Sequence, residues 1–214
     1  MISAEEFLAA RDMESAPDPT EEPHGRAASV RRRRRFQPRQ YDEDLEGVDA
    51  PASRRPALSD DEAHDEYRCQ EAALTLLDAA ARSTATLRKR LTLKGYAPET
   101  IEVVISNLTR VGLLDDLSYA RGVTQSCLGR CMGRRGTVME LVRKGVDRHM
   151  AEEVASEFEE RGDFEQSARR LAMKVSQRTR GLDRQVRLRR FWSAGGRKGH
   201  SPADLKRLES EFFS

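Results

Sequence analysis

Aromatic side chains are scarce. They make up 6% of the 214 residues, with one tryptophan, Trp192. Proteins that hold single strands by stacking need such platforms, so charge is left as the main basis for recognition. Long apolar runs are missing too: none approaches the roughly 18 residues of a membrane span, and no membrane partner is expected. Residues 1–10 carry Glu5 and Glu6 and have no basic segment followed by a long apolar one, so no secretory leader is visible. Cysteine is rare and odd in number (Cys69, Cys127 and Cys131), which argues against a disulfide framework and for a reducing, cytoplasmic setting.

Catalytic signatures are equally absent. The chain has no Gly-x-x-x-x-Gly-Lys phosphate loop, and no serine or cysteine nucleophile with a base signature. Cys127 and Cys131 share a helical face but lack further ligands at metal spacing, while His149 and His200 are remote and read as exposed. Asp115-Asp116 precedes a helical stretch and reads as an N-cap and a first-turn acid rather than a catalytic pair. No enzyme activity, cofactor or metal is expected.

What is present divides near residue 67. Six of the eight prolines lie before residue 60, and the stretch from Met13 to Asp65 is poor in aliphatics. Residues 1–67 hold 10 Lys+Arg against 17 Asp+Glu, net −7, while residues 68–214 hold the other 28 and 19, net +9. The composition predicts a disordered acidic tail over 1–67, with a short helical turn near Glu5 to Arg11 and a run Arg31, Arg32, Arg33, Arg34 and Arg35. That run reads equally as a tethered second contact for DNA or a partner and as part of a charge-balanced coil.

From Arg68 onward the pattern is all-α. Ile101, Val104, Ile105 and Leu108 form one stripe of a 3.6-residue period, and Phe164, Ala168, Leu171 and Val175 form another. Ser83, Asp147, Asp163 and Ser201 read as caps; Pro98 and Pro202 stand at first helical positions. Gly95, Gly112, Gly145, Gly162 and Gly199 read as left-handed helix stops. No stretch alternates with period two, so no strand is predicted.

Three stretches repeat a pattern: Lys94-Gly95, Lys144-Gly145 and Lys198-Gly199, each followed by a linking residue, a cap or pre-helix position and an amphipathic helix. The spacing predicts three tandem three-helix repeats, at 68–112, 113–162 and 163–214, stacked in an elongated curved array. A compact helical bundle is the alternative.

The order Ser83-x-x-x-Leu87-Arg88-x-x-Leu91-x-x-Lys94-Gly95, then Val111-Gly112-x-Leu114-Asp115-Asp116-x-x-Tyr119-Ala120, then Glu140-Leu141-x-x-Lys144-Gly145 resembles the RecX family, bacterial regulators of the RecA recombinase. The resemblance spans about Arg68 to Phe213. It implies a monomer that binds the RecA filament on single-stranded DNA and limits its extension, ATP hydrolysis and strand exchange, and so takes part in DNA repair and the SOS response. Two positions depart from the family pattern. Thr86 stands where a capping-box Glu is common, and Arg130-Cys131-Met132-Gly133 replaces a basic residue followed closely by glycine and an aromatic.

The candidate contact residues form a basic stripe on the second helix of each repeat. They are Arg88 and Lys89, then Arg134, Arg135, Arg143 and Lys144, then Arg187, Arg189, Arg190, Arg197 and Lys198. Arginine forks suit carboxylate and phosphate alike, so the stripe suits an acidic protein groove or a phosphate backbone; an ordinary solvated face is the plain alternative. A general DNA-binding helical protein acting without a recombinase is the rival reading. For DNA itself, weak and non-specific single- or double-stranded binding is expected. Trp192, next to Phe191, reads as core.

Overall fold

The computed structural model describes residues 58–213, and all of its elements are helices. In chain order they are α1 (Asp60–Ala63), α2 (Glu66–Ala79), α3 (Thr84–Leu93), α4 (Pro98–Arg110), α5 (Asp116–Gly129), α6 (Arg134–Arg143), α7 (Arg148–Glu160), α8 (Asp163–Arg178), α9 (Arg184–Lys198) and α10 (Pro202–Phe212). The arginine run Arg31–Arg35 and the helical turn expected near Glu5 lie outside the described residues.

Three cores follow the repeats. Leu87, Leu91, Ile101, Val104 and Leu108 gather with Cys69 and Leu114 in the first. Val123, Cys127, Leu141, Val154 and Phe158 form the second, which also takes Phe164 from α8. Phe191, Leu205, Leu208 and Phe213 form the third, where the Phe191 and Phe213 rings stack 4.8 Å apart. Burying each such Leu or Phe contributes about 1.5–3 kcal/mol. Trp192 is half-buried beside them and donates its indole N–H to Glu209 at 2.8 Å, in keeping with its reading as core.

Caps explain where the helices begin. Ser83 accepts from the Thr86 N–H, Asp147 from those of His149 and Met150, and Ser201 from that of Asp204. Gly95, Gly112, Gly145, Gly162 and Gly199 all have positive φ. Two expectations need correcting. Asp163 is the first residue of α8, not its cap; left-handed Gly162 precedes it without a side-chain cap, and Asp163 pairs with Arg161 instead. Helical order also begins before residue 68. Ser59 and Glu62 form a reciprocal capping box on α1, and Asp65 caps α2. The acids that made 58–67 look like tail are thus first-turn and cap residues, which the helix dipole favours.

The second helices α3, α6 and α9 meet end to end, in reverse order of the chain. The C-terminus of α6 abuts the N-terminus of α3: Ser83 Oγ donates to the Lys144 carbonyl at 2.7 Å, and Thr86 Oγ1 donates to it at 3.0 Å. The hydroxyl at 86, which cannot complete a capping box, satisfies a neighbour's orphan carbonyl instead. Likewise the C-terminus of α9 abuts α6, where the Gly133 N–H donates to the Lys198 carbonyl at 2.9 Å. The approach is close: a Cβ on Gly133 would stand 2.5 Å from the Gly199 carbonyl oxygen, and one on Gly136 would overlap Lys198. At the far end of α3 Leu58, just ahead of α1, lies against Gly95.

Candidate interface on the second helices

Each second helix buries one face and shows another. Leu87 and Leu91 of α3, Thr137 and Leu141 of α6, and Phe191 and Gly195 of α9 point inward. Counted back from the three Lys-Gly stops, these occupy the same register. The outward register is also shared. It comprises Ala85, Lys89 and Leu93 on α3, Arg135, Met139 and Arg143 on α6, and Arg189, Ser193 and Arg197 on α9, all exposed. Glu140 is the one acid within the three helices. It is largely buried, and its hydrogen bonds from Arg143, with Arg130 nearby, hold its carboxyl below the usual range. The outward register is therefore free of acid.

Apolar groups interrupt the charge on that register. Leu93 is 74% exposed and Met139 63%, with Val142 beside them also exposed. The sequence reading followed charge alone and missed these three. Their signal was readable, because each falls at a position where the repeat exposes its helix.

The eleven basic residues of the expected stripe do not act alike. Arg88 is clamped by Glu102 of α4 through two bonds of 2.5 and 3.0 Å, which hold the Arg88 pKa up and that of Glu102 down. Arg134 faces inward along α7, pairing with Glu152 and Glu159 and donating to Ser156. Arg143 lies across Glu140. Lys144 is only 8% exposed and so leaves the outward face; its carbonyl serves the α3 junction instead. Arg187 donates to Ser176 and to the Phe212 carbonyl, with its guanidinium 5.3 Å above the Phe213 ring. Lys198 donates to the Arg130 carbonyl at 2.5 Å. Lys89, Arg135, Arg189, Arg190 and Arg197 remain exposed without a carboxylate partner among the described residues.

The side chains that raised catalytic or metal readings cap helices or are buried, except His149, which is exposed. Asp115 caps α5 through the Leu117 and Ser118 N–H groups, which lower its pKa. Asp116 reaches across to α3 and accepts from the Thr84 N–H at 2.7 Å, a cap for the neighbouring repeat that the sequence did not reveal. Cys69, Cys127 and Cys131 are buried free thiols; burial pushes Cys69 up to about 11 and Cys127 upward. His200, expected to be exposed, is buried, and its Nε2–H donates to the Cys131 carbonyl at 3.0 Å. Among the described residues no three His, Cys, Asp or Glu side chains gather as metal ligands, and no helix is long and apolar enough to cross a membrane.

The chain is similar to known proteins in sequence and in fold. Residues 69–108 match the family model described as RecX, first three-helix domain. The regulatory protein RecX of Amycolatopsis mediterranei is 34% identical over 139 residues, covering 62% of this chain and 76% of that one. The regulatory protein RecX of Thermobifida fusca is 31% identical over 145 residues, covering 67% and 78%. The crystal structure of RecX from Lactobacillus salivarius superposes with a TM-score of 0.62 at 20% identity, over 70% of this chain and 97% of that one.

Proposed function

The chain belongs to the RecX family of regulatory proteins, and on that premise we propose that it regulates the RecA recombinase. It acts by binding, without chemistry of its own, as a cytoplasmic monomer laid along the RecA filament on single-stranded DNA. Seated there it limits filament extension, ATP hydrolysis and strand exchange, and through them the repair and SOS responses.

The observation that carries this reading is the acid-free outward register of α3, α6 and α9. Leu93 and Met139 lie among Lys89, Arg135, Arg189 and Arg197 on it, with exposed Val142 at its side. Apolar groups in a basic surround suit a protein groove that offers both carboxylates and apolar pockets, because buried apolar anchors supply most of the energy of a protein interface while rim charges set register and rate. Contacts to a phosphate backbone alone gain nothing from an exposed Leu93 or Met139.

The test is RecA-driven, single-strand-dependent ATP hydrolysis with the recombinase of the same organism. The chain is expected to depress it at or below one molecule per RecA. Replacing Leu93 and Met139 together by Glu should weaken inhibition at least about tenfold, equivalent to about 1.4 kcal/mol, with helicity unchanged because both side chains are exposed. Absence of both inhibition and binding by the unmodified chain would overturn the reading.

A further inference from the structure

Many arginines in the first two repeats are matched by carboxylates. Arg68, Arg88, Arg121, Arg134, Arg143 and Arg161 all have one within an ion pair's reach. In the third repeat Arg169 pairs with Glu211 and Arg207 with Glu165, but acids are scarce between them. Residues 166–203 contain eleven Lys and Arg and one acid, Asp183, and Asp183 is occupied as the cap of α9.

Four of these arginines surround one cavity. Arg178 on the last turn of α8 faces Arg189, Arg190 and Arg197 of α9 across a trough of about 430 Å³. Val175 and Thr179 line it, with Ser193 between the arginines of α9. None of the four has a carboxylate partner among the described residues; Arg197 donates only to Ser193, at 2.9 Å. The C-terminal end of α8 offers about half a negative charge, far short of four guanidinium groups. From Arg189 to Arg197 the charge extends over about 12 Å of helix, at 1.5 Å per residue.

We propose that this trough is a binding site for single-stranded nucleic acid. Guanidinium forks along the rim take successive phosphates bidentately. The apolar lining at Val175 and Thr179 receives a sugar or an unpaired base, and guanidinium planes can stack on base faces without aromatic help. Phe191 and Trp192 take no part, being committed to the core and to Glu209. Base pairing would keep the bases of a duplex out of the trough, leaving only rim contacts. The site shares Arg189 and Arg197 with the outward register, yet it needs no recombinase to fill it, so an assay without recombinase tests it apart from that reading.

The test is fluorescence anisotropy of a labelled oligothymidylate with the full chain, without recombinase, across a salt series. Four phosphate contacts predict a slope of log K against log salt of about −2.8, at roughly −0.7 per contact. Changing Arg178, Arg189, Arg190 and Arg197 together to Gln should remove that slope and lower low-salt affinity at least about tenfold. The single changes R178Q and R197Q, which put less at risk in folding, should each flatten the slope by about 0.7. R110Q on α4, exposed and far along the chain from the trough, should bind like the unmodified chain. The proposal is overturned if the unmodified chain does not bind the strand, if the folded variants keep its affinity and slope, or if a duplex of equal length binds as tightly.

Discussion

Single residues at the repeat junctions show how little latitude this fold has. Gly136 is the third residue of α6, and within a helix Ala would ordinarily be preferred over Gly by roughly 0.5–1 kcal/mol. Here a Cβ would overlap the Lys198 carbonyl. Gly136→Ala should therefore destabilise by about 1–3 kcal/mol, the usual cost of overpacking. Gly129→Ala, where a Cβ meets nothing within 4 Å, should be neutral or stabilising. Chemical denaturation of both variants compares the two sites directly. His200 gives a pH signature. Desolvation lowers its pKa below the ordinary 6.5, outweighing its bond to Cys131 and the nearby Asp204, with Lys198 adding to the depression. The unfolded chain then binds a proton that the folded one resists. The contribution is fully present above about pH 6.5 and is lost as pH falls from there toward the folded pKa, at no more than about 1.4 kcal/mol per pH unit. Denaturation midpoints measured on either side of pH 6.5 should differ less in His200→Gln than in the unmodified chain.

At the scale of the helix, boundaries were legible wherever one residue both stops and caps. Asp147 and Ser201 cap as their sequence context indicates, and the Lys-Gly stops mark α3, α6 and α9. Two kinds of information were hidden. The capping box of Ser59 and Glu62 was plain in spacing, but the surrounding Asp and Pro made the segment read as tail. Asp116, Lys144 and Thr86 act across a junction between repeats, and no local pattern encodes a partner tens of residues away. The site was legible to the same degree. Equivalent positions could be aligned from the repeat, but carboxylates on other helices decide which arginines stay available. That is why Arg88 and Arg134 are clamped while Arg135 and Arg189 are not. Ser59→Ala should cost about 0.5–2 kcal/mol of α1 stability, read as faster amide exchange at Glu62 and Ala63 with α9 unaffected.

Across the whole of residues 58–213 the two junctions are unequal. The second and third repeats interlock. Phe164 of α8 enters the core beneath α5 and α7, and Ser167, Arg170, Lys198 and His200 each donate to a carbonyl of the turn at 128–132. The first and second repeats share less: Leu114 joins the first core, and beyond it they meet through Ser83, Thr84 and Thr86, beside a cleft of about 440 Å³ lined by Leu77, Leu113 and Tyr119. Repeat stability is a sum of intrinsic and nearest-neighbour terms, so the first repeat should open by itself. Leu87→Ala, expected to cost about 2–5 kcal/mol, should speed hydrogen exchange in α3 and α4 and leave α6 to α9 protected. Phe164→Ala should speed exchange in the second and third repeats together.

The claim that the outward register of the second helices is the surface seated on RecA is tested most directly by site-specific photo-crosslinking on assembled RecA filaments. A photoreactive side chain would replace Leu93, Met139 or, as the contrast, the exposed Val103 of α4. Crosslinks to RecA from positions 93 and 139, with none from 103, are the predicted result. Crosslinks from 103 with none from 93 and 139 would contradict the account and place the recombinase on a different face of the chain.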